Sequence, residues 1–171
     1  MNSVQPIRDM ELVNDIADYL KGRSERDYMM FLFGIYSGLR ISDILKLRVR
    51  DVKGKDRITL REKKTGKERS FPINAALKSK IKKYVADKEG YVYLFRSRQG
   101  KQAYNIIRKA GEEFGLYQLG THTLRKTFGY HLYRQTKDAV TIQKILNHAS
   151  VEITMRYIGV TQDTMDAAMD K

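Results

Sequence analysis

Cysteine and tryptophan are missing from the 171 residues altogether, and proline occurs only twice. Without cysteine there is no disulfide framework, no thiolate metal site and no cysteine nucleophile, a composition that fits a reducing compartment. No apolar run reaches the ~18 residues of a membrane-spanning helix. The longest, residues 28–39, is followed at once by Arg40. A signal-peptide pattern is absent too, because Asp9, Glu11 and Asp15 fall where an uninterrupted apolar stretch would have to be. The chain also contains no P-loop and no HExxH. A membrane role is excluded on this reading, and a cytoplasmic location is expected.

Acidic residues are scarce relative to basic ones. Twenty Asp and Glu face 33 Lys and Arg, a net charge of +13, with a sequence pI near 9.8. Such an imbalance asks for a polyanionic partner, nucleic acid first. The remaining composition, 42% hydrophobic and 10% aromatic, is that of a globular protein. At ~150 residues per domain the length allows one hydrophobic core with a small sheet appended.

Apolar spacing predicts a helix over 9–20 ended by Gly22, and a second capped by Ser24 that runs through Tyr28, Phe31, Leu32 and Ile35 to Gly38. A short third helix follows at 42–47. The period then changes: Val52, Ile58, Leu60 and the segment 69–73 read as short strands with turns at 53–56 and 65–67. A small three-stranded antiparallel sheet is therefore expected. Asn74 then caps a Lys-rich helix to about Lys88, and further helices fit 101–114, 121–135, 139–147, 151–157 and 161–169. The fold class is α+β, mostly α-helical, in a single domain over 1–171.

Charge concentrates in the strand insertion, where residues 53–69 hold eight basic side chains against three acidic ones. A hairpin with Lys at its tip can lie on a phosphate backbone, and edge strands also carry Lys to resist aggregation. Arg40 sits at a helix boundary with Asp43 three residues on, where a carboxylate can orient the guanidinium or simply form a solvated pair. His122 and Arg125 share one face of a helix's first turn, with Thr121 as the expected N-cap, a geometry that can face a phosphate. His148 closes the next helix, where a cation also meets the negative helix end. Tyr157 is one of 11 tyrosines and has no compositional privilege.

Taken in order, Gly38-Leu39-Arg40-Ile41-Ser42-Asp43, Lys63-Lys64-Thr65-Gly66, His122-Thr123-Leu124-Arg125, Leu146-Asn147-His148 and Met155-Arg156-Tyr157-Ile158-Gly159 resemble the tyrosine recombinases, or phage integrase family. The likeness runs from about Ile7 to Val160. It implies the catalytic fold of that family and a site-specific DNA recombinase that forms a covalent 3′-phosphotyrosine without metal, ATP or other cofactor. Tyr157 would be the nucleophile, Arg40 and Arg125 the clamp on the non-bridging oxygens, and Lys64 the acid for the 5′ leaving oxygen. His122 would assist proton transfer, His148 would hydrogen-bond the phosphate, and Asp43 would support Arg40. Arg61, Lys63, Lys67, Arg69 and Lys126 are candidate DNA-contacting cations.

The implied partners are double-stranded DNA and further copies of the chain. A monomer in solution would assemble on DNA, as a tetrameric synapse, through the C-terminal helix, whose Met165, Ala168 and Met169 form an apolar stripe opposite Asp163, Asp166 and Asp170. The resemblance also implies a bacterial or phage-encoded protein. Two departures stand out. Asn147 occupies a place where the family has Gly, and Asn too tolerates the left-handed conformation. Only about six residues precede the first helix, so the family's N-terminal core-binding domain is expected to be absent. That second departure opens an alternative, a DNA-binding accessory protein that keeps the fold without recombining.

Overall fold

A computed structural model of the chain describes residues 4–96 and 100–171. The helices are α1 (Met10–Lys21), α2 (Glu25–Ser37), α3 (Ile41–Ile44), α4 (Ala75–Tyr84), α5 (Gly100–Glu112), α6 (Thr121–Thr136), α7 (Ala139–Leu146), α8 (Val151–Tyr157) and α9 (Val160–Met169); strands β1 (Arg57–Arg61) and β2 (Glu68–Pro72) lie between α3 and α4.

Local chemistry explains the boundaries. Asp9, Ser24, Asn74, Asp138 and Ser150 each accept from a first-turn backbone N–H of the helix they precede. Gly38 ends α2 in the left-handed conformation at φ 64°, and Asn147 ends α7 likewise at φ 55°. Helix α6 begins differently from expectation. Its cap is Gly120, whose N–H donates to Thr123 Oγ1 at 2.9 Å, so Thr121 is the first helical residue and not the N-cap.

The sheet has two strands, not three. Strands β1 and β2 pair antiparallel from Arg57 opposite Pro72 to Arg61 opposite Glu68. The expected strand at Val52 is instead the end of a 3₁₀ turn, Val49–Asp51, closed when Asp51 Oδ2 accepts from Arg48 N at 2.7 Å. Val52 N then donates to Val49 O and Lys55 N to Val52 O, which uses both main-chain groups of Val52 within the turn. Its side chain still enters the core.

Helix α2 is the central element and packs against α1, α4 and α6. The crossing with α6 is close because Gly34 faces Leu124. The main core gathers α1 to α5, the sheet and Leu124. A second, small cluster is built from Tyr130, Ile142, Leu146 and Ile158, with Phe128, Met155, Tyr157 and Val160 packed on it. Helix α9 has no buried residue, and Met165 and Met169 are 50% and 86% exposed, so the apolar stripe lies open on the single chain. No described helix is long and apolar enough to cross a membrane.

A Cβ added at Gly34 would lie 2.5 Å from Leu124 Cδ1 and 2.7 Å from Leu124 Cβ. Gly34→Ala is therefore expected to destabilise the fold by about 2 kcal/mol through overpacking, read as a lower urea midpoint at unchanged slope.

Candidate functional site

Tyr157 is the last residue of α8, and its ring rests on the small cluster while its hydroxyl faces the N-terminal turn of α6. The phenol oxygen lies 3.3 Å from His122 Nδ1. The His148 ring meets the Tyr157 ring edge-on at 4.9 Å between centroids, and Lys126 Nζ sits 5.0 Å from the same ring's centre. Helix α6 and the turn between α7 and α8 thus bring three side chains to one phenol.

Arg125 lies beneath them and is 3% exposed. One arm donates to Gly38 O at 2.6 Å and the other to Leu146 O at 2.5 Å. Both carbonyls are presented by left-handed caps, Gly38 itself and Asn147 one residue after Leu146. At Gly38 a Cβ would stand 2.3 Å from Phe128, so sterics as well as φ reserve that position for glycine. Arg125 has no carboxylate among its hydrogen-bond partners, and its charge is felt throughout the site.

Arg40 lies two residues beyond the Gly38 cap. Its Nη1 is 3.3 Å from Glu62 Oε2, near enough for an ion pair but off the line of a hydrogen bond, so that buried atom has no hydrogen-bond partner. Glu62, 2% exposed, also accepts from Arg69 Nη1 and Thr65 Oγ1, each at 2.8 Å. Burial by itself would raise its pKa, but the Arg69 and Thr65 hydrogen bonds and the Arg69 and Arg40 charges outweigh this and hold the carboxyl below its usual value.

Among the described residues no hydrogen bond or ion pair joins Asp43, expected to support Arg40, to that guanidinium. Asp43 Oδ1 accepts from the backbone N–H of Lys63 at 3.0 Å and pairs with Lys46 Nζ at 3.4 Å. One carboxylate oxygen is thus given to the hairpin, while Oδ2 stays buried without a hydrogen-bond partner. Asp43 grips the residue next to Lys64, whose exposed ammonium is close enough to influence both His122 and His148. Arg69, a candidate DNA-contacting cation, is tied internally: its guanidinium joins Glu62 to the carbonyl of Ile145 in α7. Arg61, Lys63 and Lys67 remain on the exposed hairpin, and Lys126 is half-buried beside Tyr157.

Glu62 escaped the sequence reading, although strand alternation carried the signal. Ile58, Leu60 and Glu62 share one face, and Ile58 is fully buried, so period two points an acid inward. Arg8, which ties the start of the chain to α9 through Asp163, left no local trace.

Electrostatics follow from the crowded cations. Burial, then Arg125, Arg40 and Lys64, push His148 down to about 4. His122 is lowered by burial and by Lys126, Arg125, Arg40 and Lys64. Both imidazoles are neutral at pH 7. Burial raises the Tyr157 phenol above its ordinary value, against the pull of Arg125 and Arg40. Among the described residues no cluster of three or more His, Asp or Glu could hold a metal.

The chain belongs to the phage integrase family, whose model matches residues 8–163. It is 49% identical to the probable integrase/recombinase YoeC of Bacillus subtilis, over 98% of this chain and 96% of that protein. It is 28% identical to the tyrosine recombinase XerA of Pyrococcus furiosus, over 94% of this chain and 59% of the relative. Its fold superposes on XerH site-specific recombinase bound to palindromic difH substrate with a TM-score of 0.74 at 18% identity, covering 97% of this chain and 52% of that one. The chain thus spans nearly all of YoeC and a little over half of XerA and XerH.

A histidine held neutral in the fold takes up its proton on unfolding. The unfolded chain binds more protons between the folded value near 4 and the ordinary 6.5, so stability is full above that window and falls as pH drops through it. Melting temperature is expected to fall between pH 7 and pH 4.5, by the order of 5 °C. Differential scanning fluorimetry of His148→Gln should show a smaller fall over the same range.

Proposed function

We propose that this chain cleaves and rejoins DNA strands through a covalent 3′-phosphotyrosine, with Tyr157 as nucleophile and without metal or ATP. One observation carries the reading: a tyrosine hydroxyl 3.3 Å from a neutral imidazole, above a buried Arg125 whose charge has no carboxylate hydrogen-bonded to it. The phenol proton passes to His122 Nδ1 as the oxygen attacks phosphorus. The bond from phosphorus to the 5′ oxygen breaks, and Lys64 Nζ supplies that oxygen's proton. Arg125 and Arg40 stabilise the charge on the non-bridging oxygens, for which two planar guanidinium forks suit an oxyanion. The Nη1 of Arg40, ion-paired with Glu62 but without a hydrogen-bond partner, favours this role. The ester keeps the energy of the broken bond, so rejoining reverses the step with the 5′ hydroxyl as nucleophile and needs no ATP.

His148 adds a hydrogen bond to the phosphate. Its Nδ1 is 3.0 Å from Thr154 Oγ1, and that hydroxyl donates to Ser150 O, so Nδ1 carries the proton of the neutral ring, and Nε2 donates to the phosphate once the bound anion has drawn a second proton onto the imidazole. Duplex DNA is the substrate, in keeping with the charge of +13 and with the fold shared with the Tn1549 transposon integrase in complex with transposon right end DNA. On DNA, copies of the chain associate as a tetrameric synapse through α9, whose exposed Met165 and Met169 support docking on a neighbour. Free in solution the chain is a monomer.

A library of nicked duplexes with randomised flanks, screened for adducts that survive SDS, identifies a substrate and tests the reading. Tyr157→Phe should abolish the adduct and leave DNA affinity within about twofold, since only a hydroxyl is lost. EDTA should leave adduct formation unchanged. A library that yields no adduct would favour a DNA-binding protein without strand cleavage.

Lys64→Ala should slow cleavage by roughly 10²-fold or more with little loss of binding. A 5′-bridging phosphorothiolate, whose sulfur departs without protonation, should rescue it but not Arg40→Ala or Arg125→Ala. Equal rescue of all three would show that Lys64 is not the acid. Removing residues 164–171 should spare the monomer's melting temperature and reduce assembly on paired sites, seen by native gel shift. A large fall in that temperature would instead mean that α9 is held by its own domain.

A further inference from the structure

The segment ahead of α1 lies against the helices that carry Tyr157. Its backbone is anchored at several points: Gln5 N donates to Gln118 O at 3.1 Å, Ile7 N donates to Thr127 Oγ1 at 2.9 Å, and His131 Nε2 is 2.8 Å from Ile7 O. Lys126 Nζ donates to Val4 O at 2.8 Å, and it is this ammonium that sits over the Tyr157 ring. Arg8 reaches furthest. Its Nε donates to Asp163 Oδ1 in the first turn of α9 at 2.7 Å, and Nη2 donates to Gly159 O at 3.4 Å.

Gly159 is two residues past Tyr157 and turns the chain from α8 into α9 at φ 88°. A Cβ there would be 2.9 Å from Arg8 Nη2 and 3.1 Å from Pro6 Cγ, so the strap is seated on the turn itself. The turn is thus held from outside by one guanidinium and one proline ring.

We infer that Arg8 is a positioning residue for Tyr157, fixing the α8–α9 turn through the Gly159 carbonyl and Asp163 so that the hydroxyl meets the phosphate in line. The inference rests on Tyr157 being the nucleophile. The Arg8–Asp163 pair is about one-third exposed on each side, and such pairs add little to global stability. A nucleophile displaced by about 1 Å, in contrast, can lose 10²-fold in rate. Rate and stability therefore separate the positioning role from a merely structural one.

The test uses single-turnover adduct formation by the full chain on a nicked duplex recovered from the library above, at saturating protein. Arg8→Ala should slow adduct formation by about tenfold or more, with DNA affinity within about twofold and the melting temperature within about 2 °C. Asp163→Asn keeps an acceptor for Arg8 Nε and should stay near the wild-type rate. Asp163→Ala should match Arg8→Ala, and the double variant should be no slower than either.

On the 5′-bridging phosphorothiolate, Lys64→Ala recovers while Arg8→Ala stays slow, because a better leaving group does not move a misplaced nucleophile. An Arg8→Ala rate within about twofold of wild type, or its full recovery on that substrate, overturns the inference. An adduct of undiminished yield from Tyr157→Phe would remove the nucleophile assignment itself, a result distinct from either.

Discussion

Arg125 is the charge around which the site is organised. A guanidinium taken out of water costs several kcal/mol unless its donors are met and its charge is answered. Here two donors are met by the carbonyls of Gly38 and Leu146, so α2 and α7 both end on the same side chain of α6. Those contacts need main-chain turns that ordinary residues resist, which is why a glycine and an asparagine stand at the two left-handed caps. Those two donors are met by neutral carbonyls, which leave the charge uncancelled. Both nearby histidines respond by losing basicity, a sign that the charge around Arg125 favours an anion.

Two buried carboxylates keep this cationic region folded. Glu62 gathers Arg40, Arg69 and Thr65, and Asp43 holds the backbone of Lys63. Between them they grip the hairpin turn from both ends, with Lys64 left outside as the exposed residue of the loop. Arg69 extends the same network to Ile145, one residue before the carbonyl that meets Arg125. The hairpin and the helix ends therefore share one electrostatic frame, in which opposite charges set geometry more than they add stability.

Much of this was legible in the chain. The order of Arg40, Lys64, His122, Arg125, His148 and Tyr157 pointed to the family, and the helices fell close to where apolar spacing put them, although α3 ends at Ile44 and α4 at Tyr84, short of the expected 47 and 88. Asn147 takes the left-handed conformation that its side chain tolerates. The errors have local causes. Val52 looks like a strand residue, but Asp51 captures its own segment into a 3₁₀ turn. Asp43 is one helical turn from Arg40 in sequence, yet the hairpin brings an N–H to it from 20 residues away, a partner that helical spacing cannot reveal. The Arg8 contact spans 155 residues and could be seen only once the fold closed. Glu62 is the instructive case, because strand alternation marked it as inward while its charge argued for solvent.

The division of the apolar interior has a mechanical consequence. Tyr157 is mounted on the smaller cluster, where Tyr130, Ile142, Leu146 and Ile158 are the buried members. A unit with so few interior contacts opens at lower free energy than the body built on α2. Helices α7 to α9 form a natural subglobal unit, whose amides would exchange with solvent ahead of those in α1 and α2. The helix that carries Tyr157 thereby belongs to the less deeply anchored part of the molecule.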